Sequence, residues 1–230
     1  MTTSKNMQQK AAVISGVALI IMALLAFFSH GYVHSSLVIS DEPLITLKNI
    51  QAAQALFRLE ILGWLLIIIA DVVVSWGFYQ FLKPFHQGYA LLSGWFRLIY
   101  TAILALAVTE LILIDQALQT SLNVSRLTEH VMLSLNTFEA VWFFGLIIFG
   151  LHLVLVGIIP FKTKKVPKVI SILIMLAGVS YTIVHLMYSF FPSLDSFTTS
   201  LELILMAPMF IGELGFGVWL LVSGRKVTIN

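Results

Sequence analysis

The stretch FRLEILGWLLIIIADVVVSWGFYQF, residues 57–81, decides the fold class of this chain. After Glu60 its only charged side chain is Asp71, and the rest is predominantly apolar. A helix that crosses the hydrocarbon core of a bilayer needs about 20 predominantly apolar residues. The stretch is therefore predicted to form a transmembrane helix, with Asp71 inside the span.

The composition extends this prediction to the whole chain. Of its 230 residues, 59% are hydrophobic and only 10% are charged, whereas about 25% are charged in an ordinary soluble domain. Because open sheets cannot satisfy their backbone groups in lipid, the apolar blocks are predicted to be helices. We expect an all-α polytopic bundle, a single integral-membrane domain over residues 1–230. Its six spans are predicted at residues 12–32, 57–81, 89–113, 135–159, 169–191 and 201–222.

The segments between the spans predict a further helix and an orientation. The stretch between spans one and two is too polar to cross a membrane, and it is expected to hold a short interfacial helix that begins near Pro43, with Asp41 as its cap. Basic residues favour the cytoplasmic side. They precede span one and follow spans two, four and six, at Lys5, Lys10, Lys83, Lys162, Lys164, Lys165, Lys168, Arg225 and Lys226. Both termini are thus predicted to be cytoplasmic.

Four ionisable residues inside the spans form the main candidate site: Asp71, Arg97, His152 and Glu213. Charged groups at the centre of a membrane cost roughly 2.5–3.5 kcal/mol on insertion scales, so they usually pair or line a cavity. The short loop after span two makes spans two and three antiparallel neighbours, which allows Asp71 to meet Arg97. The functional interpretation is a polar cavity that binds an anionic or polar head group or relays protons, with His152, Asp71 and Glu213 as candidates for acid–base catalysis. The alternative is a buried ion pair that fixes the helix register.

A second group of residues is predicted nearer the opposite membrane face. Arg58, Trp64 and Trp142 are candidates to line a ligand cavity, although snorkelling is the more common explanation for such an arginine, and an aromatic belt or core packing for such tryptophans. Glu110, Glu139 and His185 offer oxygen and nitrogen ligands for a metal, but no Glu-x-x-His or His-x-x-x-His spacing supports a metal site. We predict no cofactor. The chain has no cysteine, which excludes disulfides and thiol chemistry.

Several motifs, taken in order, resemble one known family. They are Phe57-Arg58, Asp71, Phe96-Arg97, FGLHLVLVG at residues 149–157, LAGVSY at residues 176–181 and GELGFGVWLLVSG at residues 212–224. Together they resemble a bacterial multi-pass membrane family known as domain of unknown function 4386. The resemblance implies an inner-membrane protein and brings no assigned activity.

Three functions remain open on these residues. The first is an inner-membrane protein that binds a lipid-like or amphiphilic ligand in an intramembrane polar cavity and acts on it by acid–base chemistry. The second is a small proton- or ion-coupled transporter that works as a homo-oligomer, because six helices rarely enclose a transport path alone. The third is a structural or regulatory membrane partner, favoured by the lack of nucleotide, metal or nucleophile motifs. Membrane lipids are the expected partners, and nucleic acid is not.

Overall fold

The computed structural model of the protein describes residues 2–39, 41–163 and 165–227, and the side chains of residues 2–5 lie outside this description. The described part of the chain is almost entirely helical and contains no strand. The helices are α1 (Thr2–Ala26), α2 (Ser35–Leu37), α3 (Pro43–Ala52), α4 (Gln54–Leu82), α5 (Gln87–Ala117), α6 (Val124–Phe161), α7 (Lys168–Phe190) and α8 (Asp195–Val222). A π-helix, Phe27–His34, joins α1 to α2 without a break, and short 3₁₀ turns occupy Pro192–Leu194 and Gly224–Lys226.

Six helical segments among the described residues are long and apolar enough to cross a membrane. They are Asn6–Leu37, Gln54–Leu82, Gln87–Ala117, Val124–Phe161, Lys168–Phe190 and Pro192–Val222. Each contains most of one predicted span, so the prediction of an all-α bundle with six membrane-spanning helices is confirmed. Many large apolar side chains also remain exposed, among them Phe27, Leu133 and Ile204 at 74%, 68% and 73%. Apolar surface of this extent is what a helix presents to lipid.

Helix α6 begins much earlier than the sequence predicted, at Val124 instead of residue 135. The predicted membrane span begins only at residue 135 because Arg126, Glu129 and His130 are polar, and hydropathy marks where a helix can enter lipid and not where it starts. The start itself follows ordinary capping rules. The side-chain oxygen of Asn123 accepts a hydrogen bond from the backbone N–H of Arg126 at 3.0 Å.

The predicted short helix between the first two spans is present as α3, and it begins at Pro43 as expected. Asp41, however, does not cap it. The residue before the helix is Glu42, which makes no side-chain capping bond, while Asp41 adopts a left-handed conformation with φ of 64°. The loop is held instead by Thr46, whose hydroxyl contacts both backbone groups of Ile39.

The described contacts divide the chain into two compact units. Unit 1 comprises residues 1–21, 70–101 and 143–230, and unit 2 comprises residues 22–69 and 102–142. Within unit 1, α7 packs against both α6 and α8 at glycines. A methyl group added at Gly150 would lie 2.5 Å from the carbonyl oxygen of Gly178, and one added at Gly212 would lie 2.6 Å from Cβ of Ala177. Such contacts need glycine, because only glycine lets helix backbones approach this closely.

The predicted orientation of the termini stays a prediction. It depends on the charges of the loops, and two of the residues that support it, the Lys5 side chain and Lys164, lie outside the described part of the chain.

Candidate functional site

Unit 1 contains a buried ion pair between Arg97 of α5 and Asp71 of α4. Nε of Arg97 donates to Oδ1 of Asp71 at 2.8 Å, and Nη2 lies 2.6 Å from the same oxygen. Neither side chain has any exposed surface. The short connection between α4 and α5 makes them antiparallel neighbours, and a hydrogen bond from Ser75 Oγ to the carbonyl oxygen of Gly94 joins them again one turn further along α4.

Glu213 and His152 join the same guanidinium. Nη1 of Arg97 donates to Oε1 of Glu213 at 2.9 Å and to Nε2 of His152 at 3.2 Å. Helices α8 and α6 supply these two side chains. The structure therefore brings together in unit 1 all four residues of the main candidate site. Asp71, Arg97, His152 and Glu213 form the Arg97 cluster.

The partners of His152 assign its tautomer. A guanidinium nitrogen can only donate, so Nε2 of His152 accepts and Nδ1 carries the hydrogen. Nδ1 lies 2.8 Å from the carbonyl oxygen of Ser93 and 3.0 Å from its hydroxyl oxygen. His152 is therefore neutral in this arrangement, with both ring nitrogens engaged. It orients the guanidinium and has no ring nitrogen left over for a substrate.

Aromatic rings surround the cluster within unit 1. The Arg97 guanidinium carbon lies 5.6 Å from the ring centroid of Phe78 and 5.4 Å from that of Phe149. The Phe78 ring also stacks on the His152 ring, with centroids 5.8 Å apart. Guanidinium groups are attracted to aromatic faces at this range, most strongly when water is excluded. These rings hold Arg97 in place and keep the cluster apolar on its flanks.

The charges of the cluster do not balance. Asp71 and Glu213 bring two carboxylates to the single guanidinium of Arg97, which leaves an excess of one negative charge when both acids are ionised. Oδ2 of Asp71 is buried and has no hydrogen-bond partner among the described residues. Glu213 is the accessible acid, because its side chain is 20% exposed whereas Asp71 and Arg97 are fully buried. Glu213 is thus the point at which the cluster can be reached.

The remaining candidate ligand-binding residues belong to unit 2. Arg58 pairs with Asp115 at 2.9 Å, and its side chain is 52% exposed. Trp64 and Trp142 contact each other edge to face, with ring centroids 5.1 Å apart. These three residues form no part of the Arg97 cluster.

The three candidate metal ligands, Glu110, Glu139 and His185, do not all lie in one unit. Among the described residues, no group of three histidine, aspartate or glutamate side chains is placed to hold a metal ion. His185, in unit 1, lies against Phe143 and donates from Nδ1 to the carbonyl oxygen of Tyr181 at 2.9 Å. Glu110 and Glu139 fall in unit 2.

The sequence analysis named all four residues of the Arg97 cluster but not the neighbouring residues that contact them, Ser93, Phe78 and Phe149. Ser93 precedes Arg97 by one helical turn, so its position on the same face of α5 could have been recognised. Phe78 follows Asp71 by two turns in the same way. Phe149 could not be told apart from the other phenylalanines of α6, because residues 140–151 of this helix are apolar on every side.

Comparison with known proteins places the chain in a family. A family model described as Domain of unknown function (DUF4386) matches residues 14–224. An uncharacterized protein of Archaeoglobus fulgidus is 29% identical over 168 residues, which cover 73% of this chain and 85% of the relative. No solved structure matches the chain. Since the family model covers most of the sequence, this protein belongs to the DUF4386 family.

Proposed function

We propose that this protein is an integral membrane protein that binds an amphiphilic ligand, whose polar head group is held at the cluster of Asp71, Arg97, His152 and Glu213. The observation that carries the proposal is the excess of one carboxylate over the single guanidinium, with Glu213 as the accessible group. In an apolar environment an uncompensated carboxylate is costly. A ligand that supplies hydrogen-bond donors or a positive charge removes this cost.

The cluster favours one kind of head group. Arg97 is fully buried and shared by two carboxylates, so an anion would have to displace one of them to reach it. A hydroxyl or ammonium group can instead donate directly to Glu213. The proposed ligand therefore has an apolar tail and a neutral donor or cationic head, whereas the sequence alone favoured an anionic or polar one.

Acid–base chemistry on the ligand would depend on Glu213. Both ring nitrogens of His152 are engaged, and Asp71 is held at Oδ1 by Arg97. A group that transfers a proton must reach the reacting atom within about 2.6–3.2 Å. Glu213 is the member of the cluster with exposed surface, so it is the proposed acid or base.

Two other functions keep specific support. The excess negative charge could be met by a proton or a cation, as in a small proton- or ion-coupled transporter that works as an oligomer. The complete burial of the Arg97–Asp71 pair favours a structural or regulatory role, in which the pair fixes the helix register.

Native mass spectrometry with lipidomics, on protein extracted from its own membrane, tests the proposal. We expect the wild-type protein to retain an amphiphile that Glu213→Gln loses. Glu202→Gln is the matched control, because Glu202 lies on the same helix α8 and bonds Tyr188 instead of Arg97. Wild-type protein that carries no amphiphile, or equal retention by Glu213→Gln, would contradict ligand binding. Proton uptake by proteoliposomes would then separate transport from a structural role.

A further inference from the structure

Unit 2 contains a second buried polar cluster that the proposed function does not use. Nδ1 of His34 lies 2.8 Å from Oε1 of Glu60, and Nε1 of Trp64 donates to the same oxygen over a longer distance of 3.5 Å. Glu60 has no exposed surface, while Trp64 and His34 are 2% and 5% exposed. A carboxylate this deeply buried needs a charged or hydrogen-bonding partner on each oxygen.

Aromatic rings enclose this carboxylate. The His30 ring lies 5.2 Å from that of His34 and 4.9 Å from that of Trp142, measured between centroids. Trp64 contacts Trp142 at 5.1 Å and Phe138 at 5.5 Å, both edge to face. The cluster thus combines one acid, two imidazoles and two indoles.

Three polar atoms of the cluster are buried without a hydrogen-bond partner in the described part of the chain: Nδ1 of His30, Nε2 of His34 and Oε2 of Glu60. When Glu60 is ionised and neutral His34 donates to it from Nδ1, Nε2 of His34 is an acceptor. Oε2 of Glu60 is an acceptor as well, and so is Nδ1 of His30 in its Nε2–H tautomer. Three acceptors, one of them negatively charged, are complementary to a ligand that has several N–H donors and a positive charge.

The local backbone supports a binding role for this cluster. His30 and His34 both lie in the π-helix Phe27–His34. A π-helical segment is a rare departure from α geometry that is found frequently at functional sites. A metal ion does not fit as the ligand, since no three such side chains among the described residues are placed to coordinate one.

We propose that Glu60, His30, His34, Trp64 and Trp142 form a site for a protonated primary amine. The ammonium group donates to Oε2 of Glu60 and to the two free imidazole nitrogens, and the indole rings supply cation–π attraction. The amine is either a small free ammonium compound or the head group of an aminophospholipid, because both present the same chemistry. The proposal is independent of the Arg97 cluster, since it uses different residues in the other unit.

Purified protein titrated with methylammonium chloride tests the site through the rise in thermal unfolding temperature. We expect methylammonium to raise this temperature and tetramethylammonium, which has no N–H donor and keeps only the cation–π attraction, to raise it less at equal concentration. Glu60→Gln should abolish the response, whereas Asp115→Asn should retain it, because Asp115 pairs with the half-exposed Arg58 in the same unit. An equal response to both cations, or a response that survives in Glu60→Gln, would overturn the proposal.

A second variant and a lipid arm complete the test. If Glu60→Gln does not fold, His30→Phe tests the site instead, because it keeps an aromatic ring at this position and the carboxylate of Glu60 but removes one hydrogen-bond acceptor. We expect it to weaken the apparent affinity by about tenfold. In nanodiscs, native mass spectrometry should show whether phosphatidylethanolamine is retained in preference to phosphatidylcholine. Retention by wild-type protein and not by the variants identifies a lipid head group. If the protein neither responds to methylammonium nor prefers phosphatidylethanolamine, the site does not exist.

Discussion

Two nitrogens of Arg97 contact one carboxylate oxygen of Asp71, at 2.8 Å and 2.6 Å, while the second oxygen has no hydrogen-bond partner among the described residues. The guanidinium therefore still has Nη1 to donate to Glu213 and His152. Arg97 of α5 thus contacts side chains from three other helices, α4, α6 and α8, and its removal should affect all of these contacts.

We predict that Arg97→Ala lowers the free energy of unfolding by about 3–5 kcal/mol, because it leaves buried carboxylates without a counter-charge. Arg58→Ala, at the exposed pair with Asp115, should cost at most about 1 kcal/mol. Denaturant unfolding in detergent micelles measures both. Similar losses for the two variants would show that the Arg97 cluster contributes no more than a surface ion pair.

Glu213→Gln should disturb stability much less than Arg97→Ala. The substitution removes the excess negative charge and leaves a balanced pair, while a glutamine oxygen can still accept from Arg97. We expect a loss of about 1 kcal/mol or less, within the range of one ordinary hydrogen bond. Thermal unfolding of the purified variant measures the loss. A decrease as large as that of Arg97→Ala would mean that both carboxylates are required for the fold.

The close contact of α6 with α7 predicts an unequal response to two glycine substitutions. Gly150→Ala should destabilise the protein by about 1–3 kcal/mol, because the new methyl group would lie 2.5 Å from the carbonyl oxygen of Gly178. Gly215→Ala is the control, since the nearest atom to its added methyl group lies 4.0 Å away. That variant should be neutral or slightly stabilised, as alanine suits a helix better than glycine. Equal behaviour of the two would argue against the helix contact.

The absence of cysteine makes the membrane orientation directly testable. Single cysteines at His86 and Lys165 should react with a membrane-impermeant maleimide only when the cytoplasmic side is exposed, for example in inverted vesicles. Cysteines at Gln119 and Asp195 should react in intact cells. The reverse pattern would place the termini on the outer side and contradict the orientation drawn from the basic loops.

The helices and the Asp71–Arg97 pair could be predicted from the sequence for physical reasons. The length of the apolar stretches sets the spans. The short loop after Leu82 forces α4 and α5 to run antiparallel. Asp71 and Arg97, two charges at similar depth in these neighbouring helices, were therefore expected to pair. The sequence could not show which way Arg97 would turn. Only the packed structure shows that Arg97 contacts two carboxylates. This contact narrows the proposed head group from an anionic or polar one to a hydrogen-bond donor or a cation.

The cluster of unit 2 was harder to predict because it depends on an unusual backbone. His30, His34 and Glu60 were visible as polar residues near span ends, where snorkelling is the ordinary explanation. Both histidines lie in the π-helix Phe27–His34, and no residue type specifies a π-helix in the way that glycine specifies a left-handed turn. The start of α6 at Val124 was not predicted for a simpler reason, since hydropathy predicts membrane spans and does not report capping by Asn123.

The π-helix Phe27–His34 also makes this part of the chain sensitive to the deletion of a single residue. A π-helical segment has i→i+5 hydrogen bonds and carries more residues per turn than an α-helix, so the loss of a residue favours a return to ordinary α geometry. Deleting Gly31 would change the spacing of His30 and His34 from four positions to three, and so change the direction in which His34 points relative to His30. A shortened relative would therefore be expected to keep the membrane-spanning helix and to change the 2.8 Å contact between His34 and Glu60.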